Sequence, residues 1–300
     1  MTIASLTGAA CSRGVYFIAN DAVIDIAIAF LNSFRRHNAA MPLCMIPFNE
    51  SIQRLQLVRE RFNFEIWQDH DLLARCDDIS RQFHGTVRGH YRKLVLWEGP
   101  FEEFLYLDTD TVILEDVAPV FRYLSAHGFI TSHSNMPHIR KWVWKDSVVE
   151  VERLSPEQIA FAANTGFICS RRGILPLDEV SGKLASALEL VPHMELSSLE
   201  QPLLNYLIVT SGREFNSLYR IFCRDRSTEI ALERWGGIDL GETVDGYFVH
   251  PHNPHTLLVH WAGEWRRAEA AGEPIRNREL WEFYRHYDQS SARDGGIEQL

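Results

Sequence analysis

Short apolar runs alternate with amphipathic segments through the first 115 residues, and this alternation constrains the fold more than any other feature of the sequence. Residues 15–19 are β-branched and aromatic, as in a buried strand, and residues 22–37 carry apolar side chains at helical spacing. The pattern repeats, with strands predicted at residues 43–48, 64–67 and 104–107 and helices predicted at residues 51–62 and 89–97. This order predicts an α/β fold, with a mainly parallel, Rossmann-like central sheet flanked by helices.

Two helix boundaries are predicted from local signals. Ser51 is a suitable N-cap for the helix at residues 51–62, because its hydroxyl can accept a hydrogen bond from a free backbone N–H. The last clear helix is predicted at residues 277–287, with an apolar face formed by Leu280, Phe283, Tyr284 and Tyr287.

The composition excludes several classes of protein. The chain of 300 residues has a formal net charge of −10, so we expect no nucleic-acid partner, which would need a basic surface. The richest apolar stretch, residues 22–31, contains Asp25 and is too short to span a bilayer, so no transmembrane segment is expected. Residues 1–12 lack the charged and apolar regions of a secretory signal.

The cysteines point to a reducing compartment. There are five of them, scattered along the chain and never spaced as CxxC, which argues against a disulfide framework and against a thiolate zinc site. We therefore predict a cytoplasmic enzyme, while the sequence predicts no oligomeric state.

A pair of carboxylates follows the apolar run at residues 104–107. Asp108 and Asp110 are two positions apart, so on an extended backbone their side chains project to the same side. Burying both would cost several kcal/mol per ion unless a cation compensates, and Mg²⁺ or Mn²⁺ suits such oxygen ligands. The alternative is a solvated turn, but the apolar residues 112–114 return the chain to the core at once.

A histidine supplies a second candidate ligand. His260 ends the strand-like run at residues 257–259 and is followed by a small-residue turn and by Arg266. An arginine suits a diphosphate because its guanidinium donates two parallel hydrogen bonds. The alternative is a hydrogen-bonded core histidine followed by solvated arginines.

Five segments in order resemble glycosyltransferase family 8, which includes glycogenin and bacterial lipopolysaccharide galactosyltransferases. They are residues 16–22, residues 93–110 with the Asp-x-Asp pair, residues 164–167 with Asn-x-Gly, residues 200–205, and residues 260–266 with His-x-x-Gly-x-x-Arg. The match runs from about residue 14 to residue 267.

The resemblance implies an A-type glycosyltransferase fold. Residues 1–270 would form a single domain, with a nucleotide-binding half at 14–115 and an acceptor half at 116–270, followed by a C-terminal helix and tail at 271–300. It also implies a metal-dependent transfer, with Mn²⁺ or Mg²⁺, of a hexose from a nucleoside-diphosphate sugar. UDP-glucose or UDP-galactose is the expected donor, a saccharide or other hydroxyl compound the acceptor, and retention the expected stereochemistry.

The same resemblance implies roles for individual residues. The metal ligands would be Asp108, Asp110 and His260. The nucleotide-sugar would be bound by Ala19, Asn20, Asp21, Arg88, Lys93, Asp108, Thr109, Gly263 and Arg266. The catalytic candidates beside the reacting carbon would be Asn164, Glu200 and Gln201.

The sequence departs from the family pattern at three places. Val23 and Ile24 stand where an aromatic residue often stacks on the base, which bears on the preference for uracil. Glu200 replaces the usual Asp, and Arg266 replaces the usual Lys. Apart from the resemblance, Asn164 is also typical of a turn before a glycine, and Gln201 of a polar helix start.

Two other functions and two other features stay open. A non-catalytic nucleotide-sugar-binding protein would share the fold, and a sugar nucleotidyltransferase would need a basic, glycine-rich loop where this chain has residues 19–22. The tryptophans Trp142 and Trp144, with the basic residues Arg140, Lys141 and Lys145, could form an acceptor lid or a packed loop. Three histidines at residues 250–255 could bind zinc, although such a proline-rich loop is more typical of a surface turn.

Overall fold

The computed structural model describes residues 11–226, 229–238, 240, 243–244, 247–248 and 255–287. Its strands are β1 (Cys11–Ala19), β2 (Leu43–Pro47), β3 (Glu65–Ile66), β4 (Phe101–Leu107), β5 (Thr111–Ile113), β6 (Phe129–Thr131), β7 (Phe167–Arg171), β8 (Phe215–Ser217), β9 (Leu232–Trp235), β10 (Thr243–Val244), β11 (Tyr247–Phe248) and β12 (Thr256–His260). Its α-helices are α1 (Ile24–His37), α2 (Gln53–Phe62), α3 (His70–His84), α4 (Pro137–Arg140), α5 (Pro156–Phe161), α6 (Leu177–Leu190), α7 (Gln201–Thr210), α8 (Leu218–Arg224), α9 (Glu264–Ala271) and α10 (Arg278–Arg285). Short 3₁₀-helices join several of these elements.

The central sheet has seven strands in the order β3-β2-β1-β4-β7-β6-β8. All pairs are parallel except those that β7 makes with β4 and β6, so the predicted mainly parallel α/β sheet is confirmed. Along β1, Tyr16 and Ile18 pack into one apolar core while Val15 and Phe17 pack into the other. Both faces of the sheet are therefore covered, as the uninterrupted apolar strands predict.

A second sheet of three strands, in the order β5-β12-β9, brings distant parts of the chain together. β12 pairs antiparallel with β5, which sets His260 opposite Thr111, and it pairs parallel with β9, which sets His260 opposite Trp235. The end of β12 therefore lies beside the turn between β4 and β5.

The C-terminal helix α10 packs against α1. Leu280, Trp281 and Tyr284 of α10 are buried, and the Asn32 amide of α1 donates a hydrogen bond of 2.8 Å to the Tyr284 carbonyl oxygen. The predicted apolar face is correct for Leu280 and Tyr284, whereas Phe283 is 37% exposed.

The predicted N-cap of α2 is wrong. The residue before α2 is Ile52, and the free N–H groups at the start of the helix donate instead to the Asp21 carboxylate. The distances are 3.1 and 3.0 Å from Arg54 N and 3.1 Å from Leu55 N. Asp21 lies 33 residues away along the chain and caps the helix in place of Ser51.

Two further elements differ from the sequence-based predictions. α3 was not predicted, although Asp69 caps its start with a 3.0 Å hydrogen bond from Leu72 N and Gly85 ends it with φ = +80°. The segment predicted as a helix at residues 89–97 is a 3₁₀-helix over Gly89–Glu98. None of the described helices is long and apolar enough to cross a membrane.

Candidate metal and nucleotide-sugar site

The site forms where β4 ends beside the start of β7. Asp108 N donates to the Gly166 carbonyl oxygen at 2.9 Å, which extends the pairing of the two strands by one residue. The Thr111 hydroxyl donates to the Asp108 carbonyl oxygen at 2.7 Å and closes the turn that leads into β5. The turn thus holds Asp108 and Asp110 at the carboxyl edge of the central sheet, where α/β proteins bind their ligands.

One oxygen of Asp108 is already engaged by the protein. Its Oδ1 accepts a hydrogen bond from the Tyr106 hydroxyl and lies 3.0 Å from Lys93 Nζ. Lys93 is 3% exposed, and its ammonium also lies 2.6 Å from Oε1 of Glu200. A buried cation thereby joins the Asp-x-Asp turn to the start of α7.

These contacts set the protonation states of Asp108 and Lys93. Burial acts to raise the pKa of the Asp108 carboxyl, but the Lys93 ammonium and His260 outweigh it and hold that pKa below its ordinary value. Burial likewise acts to lower the pKa of Lys93, but Asp108 and Glu200 hold it above its ordinary value. Lys93 is therefore charged, and the Asp108 carboxyl is ionised.

His260 completes a set of three candidate metal ligands. Its Nε2 lies 3.2 Å from Asp110 Oδ1 and 3.9 Å from Asp108 Oδ2. Asp108, Asp110 and His260 each offer one ligand atom, and these three atoms all lie within 4.8 Å of one another. Nε2 is buried and makes no hydrogen bond of good geometry to the described residues. A buried nitrogen of this kind, facing two carboxylates, fits a divalent cation.

Gly166 allows the three ligands to approach one another. A Cβ atom at this position would lie 2.5 Å from His260 Cε1 and 2.7 Å from Asp108 Oδ2. Any larger residue would displace a ligand, so the Asn-x-Gly segment has a steric reason to contain glycine.

Glu233 was missed by the sequence analysis. Its buried Oε1 lies 2.7 Å from Nδ1 of His260, the ring nitrogen on the side away from the carboxylate pair. Burial acts to lower the pKa of His260, but Asp110 and Glu233 raise it well above its ordinary value. The only local signal was the pair of charged residues, Glu233 and Arg234, in the otherwise apolar segment at residues 230–235.

The three catalytic candidates lie together beside this cluster. Asn164 accepts from Gly166 N at 3.0 Å through Oδ1. Gln201 accepts from Thr165 N at 3.3 Å and donates to the Trp142 carbonyl oxygen at 3.3 Å. Glu200 contacts Lys93, as described above. The structure therefore brings Asn164, Glu200 and Gln201 to one place, next to the ligands.

Several of the predicted nucleotide-binding residues end or follow the strands β1 and β4. Ala19, Asn20 and Thr109 lie at the carboxyl edge of the sheet, where Thr109 Oγ1 donates to the Ile18 carbonyl oxygen at 3.3 Å. The Asn20 side chain accepts from Ala22 N at 3.2 Å.

Gly263 begins α9 with φ = +71°. Arg88 and Arg266 are exposed, and the charge of Arg266 acts with Lys93 and burial to lower the pKa of His90 beside the site. The structure thus leaves the Arg266 side chain exposed to solvent.

The structure describes the two tryptophans and one of the three loop histidines whose roles the sequence left open. Trp144 is buried, whereas Trp142 is 47% exposed beside Gln201. Of the loop histidines, His250 and His252 lie outside the described residues, and His255 Nδ1 lies 3.2 Å from Glu115 Oε1.

No protein-family profile matches the chain. No curated protein matches it either. Solved structures do: a glycosyltransferase, GlyE, from Streptococcus pneumoniae TIGR4 aligns with 94% of the chain at 14% identity and a TM-score of 0.52. WbbM, described as a bifunctional glycosyltransferase, aligns with 94% at 10% identity and a TM-score of 0.59. LgtC, described as a galactosyltransferase in complex with donor and acceptor sugar analogs, aligns with 93% at 14% identity and a TM-score of 0.51.

These likenesses establish the fold. The chain has the α/β architecture of the A-type glycosyltransferases, as the sequence analysis expected. It spans 62% of the GlyE structure, 51% of the WbbM structure and 99% of the LgtC structure. The chain is thus about the size of LgtC and considerably shorter than the other two.

Proposed function

We propose that this protein is a metal-dependent glycosyltransferase of family 8 that moves a hexose from a nucleoside-diphosphate sugar to a hydroxyl group. The observation that carries the proposal is the convergence of Asp108, Asp110 and the buried Nε2 of His260 at the carboxyl edge of a glycosyltransferase fold. UDP-glucose or UDP-galactose is the proposed donor, and a saccharide or another hydroxyl compound is the proposed acceptor. The proposed stereochemical outcome is retention of the anomeric configuration.

Mn²⁺ or Mg²⁺ held by these three residues would supply a Lewis acid for the diphosphate leaving group. The protein's own contribution begins with Lys93, whose charge is shared between Asp108 and Glu200 and which fixes both carboxylates before a ligand arrives. Such preorganised charge lowers the cost of reorganisation as the leaving group gains negative charge. The exposed Arg266 is available to bind the diphosphate oxygens in pairs.

Gln201 is the residue we propose to lie against the reacting carbon. Both polar atoms of its side-chain amide are hydrogen-bonded: the oxygen accepts from Thr165 N and the nitrogen donates to the Trp142 carbonyl oxygen. The amide oxygen therefore has a fixed direction. A fixed amide dipole can stabilise positive charge that develops on the sugar. The partly exposed Trp142 ring, adjacent to this contact, would offer a stacking surface to a saccharide acceptor.

The compartment and domain boundaries remain proposals. Cys44, Cys76, Cys169 and Cys223 are free thiols, which supports a reducing, cytoplasmic location. The proposed catalytic domain spans residues 1–270, followed by the C-terminal helix and tail.

A thermal-shift screen tests the proposed donor site. UDP, GDP, CDP and TDP would each be added with and without Mn²⁺ to the native protein, to Asp110→Ala and to the control Asp178→Ala. Asp178 is a suitable control because its side chain is 89% exposed and pairs with Arg75 on the surface.

We expect stabilisation by UDP that requires Mn²⁺ and survives in Asp178→Ala but not in Asp110→Ala. Stabilisation by any of the nucleotides that is indifferent to both Mn²⁺ and Asp110 would favour the non-catalytic binding protein. No shift with any nucleotide would contradict the donor site itself.

A further inference from the structure

Glu233 is a buried carboxylate that the proposed reaction does not use directly. It lies on β9, which pairs in parallel with β12, the strand that ends at His260. Its side chain has no solvent exposure. A buried carboxylate costs several kcal/mol unless charged or hydrogen-bonding partners compensate for the loss of water. The partners of Glu233 therefore indicate why it is there.

Two groups hold the same oxygen of Glu233. Nδ1 of His260 lies 2.7 Å from Oε1, and the Asn164 amide donates to Oε1 at 3.1 Å. The Asn164 amide is itself oriented, because its Oδ1 accepts from Gly166 N. The Glu233 oxygen that faces His260 is thus held in position by Asn164, which lies just before β7.

The plane of the imidazole is fixed as well. The Trp235 ring stacks on His260 with a centroid distance of 5.8 Å and an interplanar angle of 28°. With Nδ1 directed at Glu233, the remaining nitrogen, Nε2, is directed at Asp110 and Asp108. A 180° flip of the ring would keep the stacking but would put a carbon in place of Nδ1 and so break the contact with Glu233.

We propose that Glu233 is the positioning residue of the metal site: it accepts the Nδ1–H of His260 and thereby presents the Nε2 lone pair to the cation. A carboxylate on the far nitrogen of a ligating histidine fixes its tautomer and increases its basicity. The inference rests on the proposed function, because it assigns Glu233 a role in binding the same cation.

Replacement of Glu233 by Gln tests this role through metal binding. Mn²⁺ affinity would be measured by electron paramagnetic resonance without nucleotide, in the native protein, in Glu233→Gln and in Glu115→Gln. Glu115 is a matched control, since its carboxylate also contacts a histidine Nδ1, that of His255 at 3.2 Å, at the other end of the same small sheet.

We expect Glu233→Gln to lower Mn²⁺ affinity by about 10- to 100-fold, the range typical of such outer partners of a ligand, and Glu115→Gln to leave it unchanged. A purely structural role would reduce the melting temperature of Glu233→Gln but not the affinity of the folded variant. Equal affinity in the native protein and Glu233→Gln would overturn the inference. A native protein that binds neither Mn²⁺ nor Mg²⁺ would instead overturn the metal-dependent function on which it rests.

A measurement on the native protein keeps the inference testable if Glu233→Gln does not fold. In protein labelled with ¹⁵N-histidine, we expect a downfield, slowly exchanging Nδ1–H proton of His260 that persists when diamagnetic Mg²⁺ is added. Persistence means that the cation binds Nε2 while Glu233 keeps the Nδ1 proton. Loss of this proton on Mg²⁺ binding would overturn the inference.

Discussion

The ammonium of Lys93 lies 3.0 Å from Oδ1 of Asp108 and so determines which oxygen of that carboxylate is left for a cation. Because Tyr106 donates to the same Oδ1, the free oxygen is Oδ2, which faces His260 at 3.9 Å. The candidate ligand Asp108 is therefore oriented by Lys93 and Tyr106, which are not themselves in the candidate ligand set. This relationship leads to the first prediction.

Lys93→Met should destabilise the protein, because it leaves the carboxylates of Asp108 and Glu200 without their shared cation. Removing one partner of a buried ion pair costs about 3–5 kcal/mol in the free energy of unfolding, measured by urea denaturation. Arg278→Met is the control: Arg278 pairs at 2.8 Å with Glu282 on an exposed face of α10, so the cost should stay below about 1 kcal/mol. Similar costs for the two variants would contradict the assigned role of Lys93.

Gly166→Ala should weaken Mn²⁺ binding without unfolding the protein. The added Cβ would lie 2.5 Å from His260 Cε1 and 2.7 Å from Asp108 Oδ2, so a ligand must move, and metal sites tolerate shifts of only about 0.2 Å. We expect at least a tenfold loss of affinity by titration calorimetry, which corresponds to about 1.4 kcal/mol. Gly182→Ala, in the open middle of α6, should leave affinity unchanged and add about 0.5–1 kcal/mol of stability. Unchanged affinity in Gly166→Ala would show that the ligands lie further apart than the structure indicates.

Binding of Mn²⁺ near neutral pH should release a proton. The pKa of His260 is raised well above its ordinary value, since Asp110 and Glu233 outweigh the opposing effect of burial. Below that raised pKa the imidazole carries a proton on Nε2, which the cation must displace. Affinity should thus rise with pH and level off above the raised pKa. Calorimetry in two buffers of different ionisation enthalpy should show about one proton released per Mn²⁺. Identical heats in the two buffers would contradict His260 as a ligand.

Asp21→Ala should destabilise the protein even in the absence of nucleotide. The Asp21 carboxylate accepts hydrogen bonds from Arg54 N and Leu55 N, and loss of a helix cap costs about 1 kcal/mol. Guanidinium denaturation of nucleotide-free protein measures this cost, with Asp178→Ala as a surface control expected to change little. If Asp21→Ala alters nucleotide affinity but not stability, the capping interaction is unimportant in solution.

Much of the fold was predictable because its signals are local. The apolar runs of β1, β2 and β4 are visible in the sequence, and their alternation with helices predicted the parallel sheet. Where prediction failed, contacts from distant parts of the chain decided the outcome. Ser51 is a suitable cap by type, but Asp21, 33 residues before Arg54, occupies that role. The missed helix α3 did carry local signals, namely its cap Asp69 and the closing Gly85.

The three candidate ligands were predictable from the sequence, whereas Glu233, which contacts His260, was not. Asp108 and Asp110 are close in sequence, and His260 was found by resemblance and by its place at the end of a strand. Glu233 lies 27 residues from His260, and only the pairing of β9 with β12 brings the two together. Strand register between segments so far apart is set by packing, so Glu233 carried no comparable signal.

The most direct test of the central claim is the release of UDP from UDP-glucose and UDP-galactose by the purified protein with Mn²⁺. Slow hydrolysis of the donor requires no knowledge of the acceptor, and UDP is quantified by a coupled assay. The native protein and Asp178→Asn should release UDP at equal, Mn²⁺-dependent rates, with Asp110→Asn slower by about a hundredfold or more. UDP release that continues in excess EDTA, or that is equal in Asp110→Asn, would contradict a metal-dependent glycosyltransferase acting through this site.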